Sequence, residues 1–255
     1  MTLLLRLLCP LLLVSACKNK PTDSGPAASE ILENAIQAHG GEKFMHSVQE
    51  FKVDQLSYHI LRDGHIAQFT VTRTTDTSAY VGSYKNGYLE YFVNDVPQEE
   101  LRDTRRFLEA RLEGFVYLAS IPHVFKQNAV VLEKLEDIMI KKESYYSLHI
   151  AFREDANTMN EKSEFILYVN KNTNLVDFYA QRYELAGGRK LFKKIKEKNQ
   201  SNGLALYDYW NFTSKDTSML LKDYYKDYNN NTLEELNNWN IQDLKVTFPE
   251  NKNIE

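Results

Sequence analysis

Two dipeptides, Asp63-Gly64 and Asn86-Gly87, each sit between runs that alternate apolar and polar residues, and they constrain the chain more than any other feature. Asp-Gly and Asn-Gly accept the left-handed backbone of a tight β-hairpin, and alternation with period two marks a strand with one buried face. From Val48 onward the same alternation recurs between turn signals, "KNTN" at 171–174, "GG" at 187–188 and "NQSNG" at 199–203. Strands are expected near 129–134, 137–142, 145–153, 163–170, 175–185, 189–197, 203–212 and 241–248. No internal repeat and no strand-helix-strand alternation appears. A dozen antiparallel strands cannot stay flat, because accumulated twist curls a large sheet. The sequence therefore predicts a mainly β (α+β) chain, with one large curved antiparallel sheet forming a half-open barrel and helices on its concave side or mouth.

The turns set registers. A turn at Asp63-Gly64 pairs residues summing to 127, placing Asp54 with Arg73, Leu56 with Val71, Tyr58 with Phe69, Ile60 with Ala67 and Arg62 with His65 on one face. His59 then lies on the opposite face, beside Gln68, so His59 and His65 cannot share a metal ion. A turn at Asn86-Gly87 pairs residues summing to 173: Tyr80 with Val93, Gly82 with Tyr91, Tyr84 with Leu89. A turn centred on Gly187-Gly188 gives 375, placing Lys193 beside Arg182 and Lys194 beside Gln181. That basic run reads either as a solvated face whose lysines protect a sheet edge or as a contact for anionic headgroups through Lys193 and Lys194.

Helices are fewer. Ser29 is suited to an N-cap, and Ile31, Leu32, Ala35, Ile36 and His39 recur at helical spacing until Gly40 and Gly41. His39 is expected to complement the negative end of that helix. Pro97, with Asp95 as N-cap, begins a second helical segment through Leu101, Leu108, Leu112 and Phe115 that runs into the apolar stretch 115–125. A short helix is expected at 233–238.

With 16 Tyr and 13 Phe the chain can fill a sizeable core. The set Tyr58, Phe69, Tyr84, Tyr91, Phe115 and Phe125 lines either a ligand cavity or a plain core; tyrosines on an apolar face favour a lining, because a buried hydroxyl needs a partner. Such a cavity suits an apolar or amphiphilic ligand.

Residues 1–16 have the layout of an export signal: an early Arg6, a short apolar core and small residues at its end. The run is too short for a membrane-spanning helix. Val14-Ser15-Ala16-Cys17 resembles a bacterial lipobox, which makes Cys17 the lipid-bearing first residue of the mature chain. Residues 17–28 then form the lipidated cysteine and a polar tether, whose eleven residues 18–28 span about 35 Å at most. Residues 29–255 form one β domain. The only other cysteine is Cys9, so the mature body has no thiol for a disulfide, a zinc cluster or catalysis.

A net charge of −4 with both signs interspersed argues against nucleic acid as a partner. No G-x-S-x-G, H-E-x-x-H or phosphate loop is present, and "EDANTMNE" at 154–161 lacks calcium-loop spacing. Neither cofactor nor catalytic residues are expected.

The lipobox, the helix ending "AIQAHGG", the paired hairpins, the segment "YLASIPHVF" and the strand "LYDYWNF" together resemble an uncharacterised family of envelope lipoproteins from Bacteroidota, over roughly residues 29–248. The resemblance implies a LolA-like or LolB-like half-barrel. LolA and LolB proteins carry the acyl chains of lipoproteins across the periplasm. The expectation is a tethered envelope lipoprotein of the outer membrane, facing the periplasm, with the cell surface as the alternative face, that binds a lipid or acyl chain. The alternatives are a structural lipoprotein with a filled barrel and envelope-protein partners, and a hydrolase.

Overall fold

The computed structural model describes residues 25–64, 66–85, 88–98, 116, 119–126, 130–153, 163–183, 187–236, 238 and 240–249. Two antiparallel sheets, not closed on each other, form an open half-barrel. The first runs β15-β1-β2-β3-β4-β5-β6, with β1 Val48–Val53, β2 Leu56–Asp63, β3 Ile66–Thr74, β4 Ala79–Lys85, β5 Tyr88–Val93, β6 Val96–Pro97 and β15 Ile241–Thr247. The second runs β14-β13-β12-β11-β10-β9-β7, with β8 also on β9. Its strands are β7 Val130–Lys134, β8 Ile138–Ile140, β9 Glu143–Phe152, β10 Glu164–Asn170, β11 Val176–Tyr183, β12 Arg189–Ser201, β13 Leu204–Thr213 and β14 Glu234–Glu235.

The two sheets meet at β15. Its inner edge pairs with β1, joining residues nearly two hundred positions apart, Val48 with Thr247 and Val53 with Ile241. Its outer edge bonds to side chains of the second sheet: Ile241 N–H donates to Asp208 Oδ1 at 2.8 Å, and Val246 N–H to Ser201 Oγ at 3.0 Å. Side-chain acceptors thus satisfy a strand edge that would otherwise be bare.

The central strands of the second sheet are buried on both faces. Inside, α1 (Ala28–Ala38) sets Ile31, Leu32, Ala35 and Ile36 on Leu148, Ile150, Phe165 and Leu167. Outside, α3 (Tyr224–Asn230) and the 3₁₀ turn Leu221–Asp223 cover Ile166, Tyr168, Phe178 and Phe192. Hence β10, "EFILYVN", is apolar at nearly every position, as a strand covered on both sides must be. The first sheet buries only its inner face, and Ser57, His59, Thr70 and Thr72 stand on the other.

Several local readings need correction. Helix α1 starts one residue before Ser29: Ala27 takes the N-cap position with extended backbone and no side-chain cap. Gly40, at φ 111°, ends α1 and begins α2 (Gly41–Met45), and a Cβ there would also meet Leu204. Asp95 is not an N-cap and Pro97 lies in a strand: Asn94 and Asp95 both take positive φ in a tight turn, and Val96 and Pro97 pair with Val93 and Phe92, while the helical segment expected through Leu101, Leu108 and Leu112 lies outside the described residues. That is the behaviour of Asn-Asp in a hairpin. The late helix lies at α3, and the place expected for it, 233–238, holds β14 instead.

The hairpin at Asn86-Gly87 has the expected register, Tyr80 with Val93, Gly82 with Tyr91 and Tyr84 with Leu89. The first hairpin is shifted by two: Tyr58 faces Val71 and Ile60 faces Phe69, because Asp63 still pairs, with Ile66. The end of β2 is held by the segment before β1, Arg62 N–H on Ser47 O and Gly64 N–H on Met45 O. An even shift leaves the faces as expected. The Gly187-Gly188 hairpin is shifted by three, Tyr183 with Arg189 and Tyr179 with Lys193, because residues 184–188 all intervene. An odd shift exchanges the faces.

Candidate functional site

The inner face of the first sheet is a row-by-row apolar surface. Phe51, Tyr58, Ile60, Phe69, Val71 and Leu89 are buried in it, with Phe51 stacked on Tyr58 at 5.2 Å and Phe69 on Tyr84 at 4.8 Å. Toward β4 and β5 the cover thins: Tyr80, Tyr84, Tyr91 and Val93 are only half-buried. Burial and then the neighbouring Tyr80 push the Tyr91 phenol above its ordinary value.

A polar group closes the other end of this surface. Arg62 continues the row Tyr58, Ile60 on β2 and is 6% exposed. Its Nη2 donates to Ser120 Oγ at 2.8 Å, its Cζ lies 4.5 Å from the centroid of Phe44, and its Nε has no partner among the described residues. Ser120 in turn donates to Val116 O. Burial lowers the Arg62 guanidinium to about 10, so it stays charged at neutral pH. His123 stacks on Phe44 at 4.0 Å, and both its ring nitrogens are buried, with no more than a weak hydrogen bond to the Gly41 backbone. Burial first, then the nearby His39 and Arg62, push His123 down to about 3.

His39 is not a cation at a helix end. Its Nε2 accepts the Val176 N–H at 3.0 Å, which requires that nitrogen to be unprotonated and puts the hydrogen on Nδ1. Burial, reinforced by Lys198, lowers it to about 4. It therefore acts as a neutral strut between α1 and β11.

Between these histidines lies a cavity of about 20 Å³ bounded by His39, Phe44, His123, Tyr179, Tyr207 and Tyr209. That is room for one water. A larger hollow of about 310 Å³ lies over the outer face of the first sheet, against Glu50, Lys52, His59, Thr70, Thr72 and Lys245. Its charges are neutralised in pairs, Lys52 with Asp243 and Lys245 with Glu50.

The aromatic residues proposed as one lining divide between two cores. Tyr58, Phe69, Tyr84 and Tyr91 share the inner face of the first sheet. Phe125 belongs to the second, 1% exposed and edge-on to Phe165 at 5.0 Å. Phe115 and Cys17 lie outside the described residues, as do His65 and the stretch 154–162. Lys193 is overturned as a headgroup contact: the register shift turns it inward, 3% exposed, with Nζ 5.7 Å from the Tyr179 ring, and burial lowers it to about 8. Lys194 faces outward, paired with Phe178 and Trp210. Among the described residues no group of three His, Cys, Asp or Glu is placed to hold a metal ion, and no helix is long and apolar enough to cross a membrane.

Arg62 is the residue that the sequence reading passed over, although the signal was there: an arginine in register with an inward apolar row.

Among solved structures, a LolA superfamily protein from Nitrosomonas europaea matches with a TM-score of 0.53 at 17% identity, covering 87% of this chain and 94% of that one. A DUF1329 family protein from Desulfovibrio piger ATCC 29098 follows at TM-score 0.45 and 7% identity, over 73% and 86% of the two chains. A Vibrio parahaemolyticus domain described as one of outer membrane lipoprotein sorting gives 0.41 and 10%, over 80% and 99%. At such identities the first likeness speaks for a LolA-like fold and for nothing else. No match is found among the curated proteins. A family model matches residues 2–238, and the chain belongs to that family of unknown function, DUF6503.

Proposed function

We propose that this chain is an envelope lipoprotein that binds an amphiphile, a lipid or acyl chain, along the inner face of its first sheet, without catalysis. The observation that carries this reading is the unequal cover of the two sheets. The second is covered on both faces along its central strands, β10 and β11, whereas the first leaves Tyr80, Tyr84, Tyr91 and Val93 half-buried on an otherwise apolar inner face. Apolar surface left partly wet is what an acyl chain covers at a gain of about 25 cal/mol per Å². The LolA-like fold is compatible with it, being a half-barrel with an open side. Cys17 would carry the anchoring lipid, with the body held within a short tether of an outer-membrane surface facing the periplasm.

The 20 Å³ cavity favours a second reading, a filled barrel that serves as a scaffold for envelope proteins. The two separate on one experiment. The body expressed without residues 1–17 is purified, extracted with organic solvent and analysed by mass spectrometry. Stoichiometric lipid supports the carrier; an empty extract, with no binding of added fatty acid, supports the scaffold.

A further inference from the structure

We infer that the amphiphile carries an anionic head, a carboxylate or phosphate, and that Arg62 receives it. This rests on the binding reading above and adds to it which end of the ligand lies where.

The guanidinium of Arg62 is enclosed within the half-barrel, yet the groups found around it are neutral: the Ser120 hydroxyl on Nη2 and the Phe44 ring under Cζ. A charge taken out of water is expensive unless a counter-charge or a full set of acceptors replaces the solvent. Arginine presents five N–H donors, and here Nε is buried with no acceptor among the described residues. The one buried acid among them is Asp208, which is committed elsewhere, to Ile241 N–H and to Asn199 Nδ2 at 3.1 Å. The site therefore presents a donor aimed at an anion that the described residues do not supply.

Position adds the second half. Arg62 terminates the inward row Tyr58, Ile60 on β2, beside Phe69 on β3. Tyr58, Ile60 and Phe69 are themselves buried, so a chain entering from the half-buried end at β4 and β5 brings its head to the guanidinium by displacing the residues that cover them. His123, on the same Phe44 ring, brings two buried ring nitrogens, one of them close to the Gly41 backbone. One of them carries a hydrogen in the neutral imidazole and can donate to a second oxygen. The cavity of about 20 Å³ beside Phe44 and His123 has room for one oxygen-sized group.

The test uses three C16 probes with a diazirine at mid-chain, palmitate, hexadecyl phosphate and hexadecanol. Each is offered to the full chain in phosphatidylcholine nanodiscs, and the cross-linked peptides are mapped. Both anionic probes are expected to label the β2–β3 peptides about tenfold more than the alcohol, the size of one charge-assisted hydrogen bond. Arg62→Gln should erase that preference while leaving alcohol labelling in place. Arg62→Lys, which keeps the charge, should retain most of it, and circular dichroism checks that each variant is folded. Equal labelling by all three probes in the wild type overturns the head assignment and leaves the binding reading intact. Absence of labelling by any probe overturns both.

Discussion

Acidification from pH 7 to pH 4 is expected to remove several kcal/mol of stability through His39 and His123. Both are neutral in the fold, lowered by burial to about 4 and about 3, whereas an unfolded chain protonates them near 6.5. The unfolded state therefore binds more protons below pH 6.5. The stability these residues contribute is complete above that pH and is lost as pH falls toward 4 for His39 and on toward 3 for His123. At 1.36 kcal/mol per unit, each loses roughly 3 kcal/mol by pH 4. The structural causes are separate. Protonating His39 destroys the acceptor for Val176 N–H, while protonating His123 places a cation on the Phe44 ring that Arg62 already occupies. Urea unfolding at pH 7 and pH 4 measures the loss. In a His39→Gln, His123→Phe double variant, which keeps an acceptor at 39 and a ring at 123, most of it should disappear. An unchanged acid loss in that variant would place the proton uptake elsewhere.

Phe125→Ala should destabilise the chain by about 3–5 kcal/mol, the usual range for emptying a fully buried ring site. Phe125 packs edge-on to Phe165 and against the same inner surface that α1 covers, so its loss loosens one wall of the second sheet's core. Thermal unfolding of the ligand-free protein reads this directly. Were Phe125 part of a ligand lining, truncation would lower lipid affinity and leave apo stability nearly intact.

How much the sequence disclosed depended on the distance over which each feature is decided. The Asn86-Gly87 hairpin is local, and its register followed from two residues. The Asp63-Gly64 hairpin slipped by two because its strand end is bonded to Ser47 and Met45, partners a turn rule does not see. The Gly187-Gly188 connection is longer than its glycines imply, and an odd slip moved Lys193 from the surface to the interior. The pairing of β15 with β1 joins the two ends of the body, and nothing local announces it. Strand existence was legible throughout because alternation survives any register. The division into two sheets was not, since it rests on which edges meet. In the site, the aromatic row over β2 to β5 was legible from the hairpins, while the buried set of Arg62, Ser120 and His123 needed distant segments brought together.

The central claim is that an acyl chain lies along the inner face of the first sheet, and a tryptophan placed there tests it most directly. Tyr84→Trp puts an indole against Phe69 on that face, in a background with Trp210 and Trp239 changed to Phe. Titration with 9,10-dibromostearate should quench this emission strongly and saturably, because bromine quenches at contact distance. A protein keeping Trp210 as its single tryptophan, with that indole on the outer face beside Lys194, should be quenched little. Equal quenching of both proteins, or no quenching of the Tyr84→Trp protein, would contradict the account.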